Sequence, residues 1–140
     1  MAVRSGTHRL GAPRPTSSLQ PRIKHIGNLG PHEIALYVAE YEEPLIVNVT
    51  HETILGRISR VASVTPQPAI DLTMFQAIEL GVSRAHAALR RYMDDLLILD
   101  LDSTNGTWVN GVRLKAQTPV KLQSGDRISL AKLTLYTYFQ

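Results

Sequence analysis

Three short clusters hold side chains that could bind an anionic group: Arg57 after Gly56, Ser83 and Arg84 in Ser83-Arg84-Ala85-His86, and Thr104 and Asn105 in Ser103-Thr104-Asn105-Gly106-Thr107. A phosphate monoester carries close to two negative charges and three acceptor oxygens, so its site needs guanidinium groups and short hydroxyl donors. Arg57, Ser83, Arg84 and Thr104 are of those types. An asparagine amide donates to one backbone group and accepts from another, which suits Asn105 to an extended peptide main chain. Gly56 and Gly106 beside them allow tight loops. Each residue also has a plainer reading. Arg57 can be a surface arginine, Ser83 a turn serine, and Asn105 the first half of an Asn-Gly turn. His86 is expected to be structural, Asn110 to belong to the hairpin turn Asn110-Gly111, and Trp108 to sit in the core.

Three enzymatic patterns are weaker. Asp100-Leu101-Asp102-Ser103-Thr104 matches the Asp-x-Asp-x-Thr of aspartyl phosphotransferases, whose first Asp attacks a phosphoryl group. That chemistry sits on a parallel sheet with crossover helices, and no train of β-α units is present. Gly81-Val82-Ser83-Arg84-Ala85 has the outline of a nucleophile elbow, but no helix pattern follows it. His51-Glu52 begins like a zinc-protease motif, yet Leu55 stands where the second histidine is required. No metal site is expected. With no cysteine in the chain, disulfides and thiolate chemistry are excluded. The expectation is a binding module, not an enzyme, with no cofactor.

The elements that must position these residues are read from the pattern. A chain of 140 residues with 44% hydrophobic content suits one globular domain. The net charge of +3 is uneven: residues 1–32 contain Arg4, Arg9, Arg14, Arg22 and Lys24 and no acid, while all twelve acids follow. Residues 1–30 are rich in Gly, Pro, Ser and Arg and are expected to form a basic, flexible N-terminal arm, with the domain over 31–140. Such an arm is most simply solvated, so nucleic-acid binding is not expected. No apolar run approaches a membrane span or a signal peptide, and a cytoplasmic protein is the expectation.

From Glu33 onward short apolar runs alternate with turn residues. Strands are predicted at 34–38, 45–50, 53–55, 70–72, 87–91, 96–100, 107–109, 112–114, 120–122, 127–130 and 133–139, with one helical turn over 74–80. Asn110-Gly111 between two of them is a strong type I′ hairpin signal. Many short strands and no long helical pattern predict an all-β fold, a β-sandwich or barrel.

Gly56-Arg57, Ser83-Arg84-Ala85-His86, Ser103-Thr104-Asn105-Gly106-Thr107 and Asn110-Gly111, in that order, resemble the forkhead-associated (FHA) family. The resemblance runs from about Ile34 to the C-terminus and includes Leu122-Gln123-Ser124-Gly125-Asp126-Arg127-Ile128. It implies a two-sheet antiparallel β-sandwich whose loops at one end read a phosphothreonine peptide, the product of a Ser/Thr protein kinase. Carried over by position, it implies that Arg57 contacts the phosphopeptide, Ser83 bonds the phosphate and Arg84 adds positive charge. Thr104 then helps hold the phosphothreonine and Asn105 clamps the main chain, while Gly56, His86, Gly106, Asn110 and Gly111 support the binding loops. The stretch between Arg57 and Ser83 is longer than usual for the family. Ala131 stands where glycine is common, in a turn expected to lie far from the binding residues. The competing expectation is an FHA-like scaffold that binds an unphosphorylated protein.

Overall fold

A computed structural model describes residues 28–58 and 68–140, so most of the expected arm and the 59–67 segment lie outside the described residues. Eleven strands follow in order: β1 Glu33–Val38, β2 Leu45–Asn48, β3 Glu52–Gly56, β4 Ala69–Asp71, β5 Ala87–Tyr92, β6 Asp95–Asp100, β7 Thr107–Val109, β8 Val112–Arg113, β9 Val120–Lys121, β10 Asp126–Leu130 and β11 Leu133–Tyr138. They build a six-stranded sheet, β2-β1-β11-β10-β7-β8, and a five-stranded sheet, β4-β3-β5-β6-β9. The predicted all-β sandwich is the observed fold. The pairing between these strands is antiparallel except for β3 with β4, which run parallel.

Alternation creates the core. Ile34, Leu36 and Val38 of β1, Leu96 and Ile98 of β6, and Ile128 and Leu130 of β10 point inward and are buried, together with Leu55, Leu89, Leu133 and Leu135. Each such side chain contributes about 1.5–3 kcal/mol. The outer face of β1 and β11 carries a second buried cluster of Ala35, Tyr37, Tyr136 and Tyr138, joined by Leu29. The packed chain therefore begins no later than Leu29, inside the stretch assigned to the arm.

Two local expectations are corrected. The stretch expected as one helical turn over 74–80 divides in two: a 3-10 turn at Thr73–Phe75, ended by the left-handed Gln76 at φ 63°, then a single turn closed by the Leu80 amide on Gln76 O at 3.0 Å. Trp108 is not a core residue. In the three-residue strand β7 its neighbours Thr107 and Val109 take the inward positions, so alternation turns Trp108 to the half-exposed outer face.

The Asn110-Gly111 turn forms as predicted, with φ of 50° and 83° at its two residues. Antiparallel register then collects the loops. Leu55 pairs with Ala87, and Ala87 with Asp100, so β3 and β6 end where β5 begins. Thr107 pairs with Leu130 in the other sheet. Thr107 also donates its hydroxyl to Asp100 across the sandwich at 2.6 Å, so all these strand ends share one end of the molecule.

Candidate functional site

Three loops meet at that end: residues 57–58 following Gly56 at the end of β3, residues 82–86 before β5, and residues 101–106 between β6 and β7. Gly56 is the tightest point. A Cβ there would stand 1.9 Å from the Arg84 carbonyl oxygen and 2.8 Å from that of Ser83, so only glycine lets the second loop cross this close. The approach allows the Arg57 amide to donate to Ser83 O at 3.2 Å. The half-buried Arg57 side chain lies along the same loop, its Nε–H donating to Val82 O at 2.8 Å.

His86, fully buried, ties the second loop to the third. Its Nδ1 accepts the Ser83 amide at 2.9 Å and its Nε2 lies 2.7 Å from Gly106 O. An N–H on one side and a carbonyl on the other fix the neutral tautomer with the proton on Nε2. Burial pushes the His86 pKa below its ordinary 6.5, against smaller upward pulls from the Gly106 carbonyl and the Asp100 charge. The Nδ1 lone pair meets the backbone of Ser83, not its hydroxyl. Ser83 and His86 are therefore not a nucleophile and base.

The third loop is shaped by Asp100. Its carboxylate accepts the Ser103 hydroxyl at 2.5 Å, the Ser103 amide at 3.2 Å and the Thr107 hydroxyl at 2.6 Å, and Ser103 Oγ in turn accepts the Gly106 amide at 2.9 Å. Burial alone would raise the Asp100 pKa, but these hydrogen bonds and the nearby His86 outweigh it and the value lies below 3.8. Asp100 is a buried loop brace, which removes the phosphotransferase reading of its motif. Sequence reasoning missed this role, although the Asp100-to-Ser103 spacing is a common turn signature.

On this frame stand the candidate contacts. Ser83 Oγ accepts the Thr104 amide at 3.1 Å, which leaves the hydroxyl proton of Ser83 to donate elsewhere. Asn105 donates one amide proton to Gly81 O at 2.9 Å and keeps Oδ1 and its second N–H. Gly81, also missed in sequence, makes room for it: a Cβ at 81 would stand 2.8 Å from Asn105 Nδ2. Arg84, Thr104 and Asn105 are exposed. The structure thus brings Arg57, Ser83, Arg84, Thr104 and Asn105 to one loop surface, with Gly56, His86 and Gly106 beneath them.

Asn110 and Gly111 are not brought there. They lie at the far end of β7, where Asn110 donates to Asp126 at 2.9 Å and accepts the Arg127 amide at 2.9 Å, so they brace the start of β10. The turn of Ala131, expected to be remote, lies close: its amide donates to Gly106 O at 2.9 Å, and that of Lys132 to Leu80 O at 3.0 Å. Ala131 holds the left-handed φ of 55° that glycine would adopt more easily. Among the described residues no His, Cys, Asp or Glu cluster suits a metal ion, and no helix is long and apolar enough to cross a membrane.

Comparison with known proteins identifies the family of this fold. The family profile of the FHA domain matches residues 53–131, more than half of the chain. The protein FraH of Nostoc sp. (strain PCC 7120) is 41% identical over 71 residues, which are 51% of this chain and 24% of FraH, so the chain spans about a quarter of that relative. Among solved structures, the FHA domain of an Arabidopsis thaliana hypothetical protein is 26% identical with a TM-score of 0.57, covering 76% of this chain and 85% of its own. The FhaA FHA domain, complexed with the intracellular domain of another protein, is 26% identical with a TM-score of 0.54, covering 74% and 98%.

Proposed function

The chain belongs to the FHA family, and from that premise we propose that it is a phosphothreonine-peptide reader that recognises products of Ser/Thr protein kinases through its three-loop end. One observation carries the proposal. Ser83 Oγ is held by the Thr104 amide with its own proton left to donate, on the loop that Arg57 Nε also meets at Val82 O. A phosphate set against Ser83 would take that proton and the charge of the Arg57 and Arg84 guanidinium groups. Asn105, fixed by Gly81, keeps an acceptor and a donor for the peptide main chain. The FhaA domain, solved with another protein's intracellular domain, supports a protein partner.

Removing the phosphate would strip charge-assisted hydrogen bonds of about 1.5–3 kcal/mol each, so losing two weakens binding more than a hundredfold. Threonine over serine rests on one methyl group, about 0.8 kcal/mol of burial, or a few-fold preference before any stiffening by the β-branch. Arg57→Ala and Ser83→Ala should each weaken phosphopeptide binding tenfold or more, and Asn105→Ala should weaken all target sequences alike. Titration of the wild type and these variants with matched phosphothreonine, phosphoserine and unmodified peptides is the test. Equal affinity for modified and unmodified peptides would instead favour a scaffold for an unphosphorylated partner.

A further inference from the structure

The outer face of the six-stranded sheet is closed over its β1 and β11 strands and open on either side of them. Ile34, Leu36 and Val38 of β1 enter the core, so Ala35 and Tyr37 point outward, as Tyr136 and Tyr138 do on β11. Register stacks the four. Ala35 pairs with Tyr138 and Tyr37 with Tyr136, and the Tyr37 and Tyr138 rings meet edge to face at 5.7 Å. All four are buried, Tyr37 to 2% exposure. Next to them Ile46, which pairs with Ala35 from the edge strand β2, is 48% exposed. On β10, β7 and β8 the same face carries exposed Arg127 and Arg113 and half-buried Trp108. Something therefore covers β1 and β11 and not their neighbours. Three tyrosine rings bring about 450–750 Å² of surface to bury. Among the described residues Leu29 joins this cluster, and its side chain is smaller than any one of the rings. Burial pushes the Tyr37 pKa above its ordinary 10.0, with a smaller push from Glu43.

We propose that this tyrosine face is a docking surface for the chain's own residues 19–27. Connectivity leads there. Leu29 is seated in the cluster and its carbonyl is held by the Gln140 side chain, so the chain before it arrives at the edge of the patch. A tethered segment meets the face at a high effective concentration, which no free partner matches. Composition fits as well. Leu19, Ile23 and Ile26 are three large apolar residues in nine, whereas residues 1–18 hold only Met1, Val3 and Leu10. Nine extended residues reach about 30 Å, and the six of β1 span about 20 Å. Charge is complementary: Glu33 stands on the outer side of β1 and Glu43 acts on Tyr37, while the segment carries Arg22 and Lys24 and no acid. The domain then begins near Leu19, and the outer face leaves a partner protein its β10-β7-β8 half.

The five tyrosines of the full chain test this directly, because Tyr41 and Tyr92 are 41% and 61% exposed and the other three are buried. Nitration with tetranitromethane, located by mass spectrometry, should modify Tyr41 and Tyr92 and spare Tyr37, Tyr136 and Tyr138. The full chain carrying both Ile23→Ala and Ile26→Ala should nitrate Tyr136 and Tyr138 several-fold faster, since a loosened cover opens locally. Its thermal midpoint should fall by about 5 °C or more. Tyr41 and Tyr92 should keep their wild-type rates, which a general loss of fold would not allow. A chain begun at Asn28 should show the same changes in larger measure; if it fails to fold, the double variant decides alone. Leu10→Ala, outside the segment, should change neither rate nor midpoint. Protection should also be independent of protein concentration. Protection that fades on dilution would give the face to a second copy of the chain. Nitration of Tyr136 and Tyr138 in the wild type as fast as Tyr41 would leave the face open to another protein. Either result overturns the proposal, as does protection that survives the double variant or is lost in Leu10→Ala. None of these outcomes depends on phosphopeptide binding, so this inference and that reading stand or fall separately.

Discussion

Adding one methyl group at Gly56 should damage binding more than folding. The Gly56→Ala Cβ would meet Arg84 O at 1.9 Å, where real contacts stay beyond 3.0 Å, so the carbonyl must retreat by more than 1 Å. The obstacle is backbone, which cannot rotate aside as a side chain can. Retreat loosens the Arg57 amide bond to Ser83 O, already 3.2 Å, and shifts Ser83 relative to the Thr104 amide. Overpacking of this kind costs about 1–3 kcal/mol, which a domain of this size survives. A displacement of about 1 Å in the loop bearing Ser83 and Arg84 disrupts hydrogen bonds that need donor and acceptor within about 3.2 Å, so affinity should fall at least tenfold. Urea denaturation would report the first number and phosphopeptide titration the second. A variant with wild-type stability and wild-type affinity would show that the two loops are not pressed together at Gly56, and the account of the site would be wrong.

Acid should destabilise the fold in two steps. The folded state disfavours a proton on His86, so stability is full above 6.5 and falls as pH drops from there toward the lower folded value; Asp100 adds a further loss as pH falls below 3.8. Urea midpoints measured from pH 7.5 to 3 should follow this course, and a flat profile between pH 7 and 5 would contradict a buried neutral His86. At the other edge of the domain, a chain begun at Pro31 should melt several degrees below one begun at Asn28, because it lacks Leu29 against Tyr37, Tyr136 and Tyr138 and the Gly30 amide bond to Glu33. Equal midpoints would place the domain boundary at residue 31.

Much of the fold was legible because strand alternation and turn chemistry are local. Asn110-Gly111 announced its own turn, and the inward run of Ile34, Leu36 and Val38 its own strand. Ordered motifs also marked which loops carry the candidate site. Pairwise neighbours across the sandwich were not legible. Nothing local to Ala131 says that its amide meets Gly106, and nothing local to Gly81 says that its carbonyl fixes Asn105. Trp108 was misplaced because size suggested burial, whereas a three-residue strand has only two inward positions and Thr107 and Val109 hold them. Asp100 drew notice only as part of an enzyme-like motif that was set aside, and its bracing role was not legible. Its hydrogen bonds to Ser103 and Thr107 show a carboxylate already fully engaged.

The three central side chains share one design. Arg57 commits Nε–H to Val82 O, Ser83 commits an oxygen lone pair to the Thr104 amide, and Asn105 commits one amide proton to Gly81 O. Each is fixed by one polar group and keeps another for a ligand. Fixing it beforehand removes about 0.5–1.5 kcal/mol of ordering cost per side chain at the moment of binding. The partners are backbone groups of neighbouring loops, so the geometry depends on how closely those loops approach. Gly56, His86 and Asp100 set that approach from beneath the loop surface. Substitutions beneath the surface should therefore weaken phosphopeptide binding nearly as much as substitutions upon it.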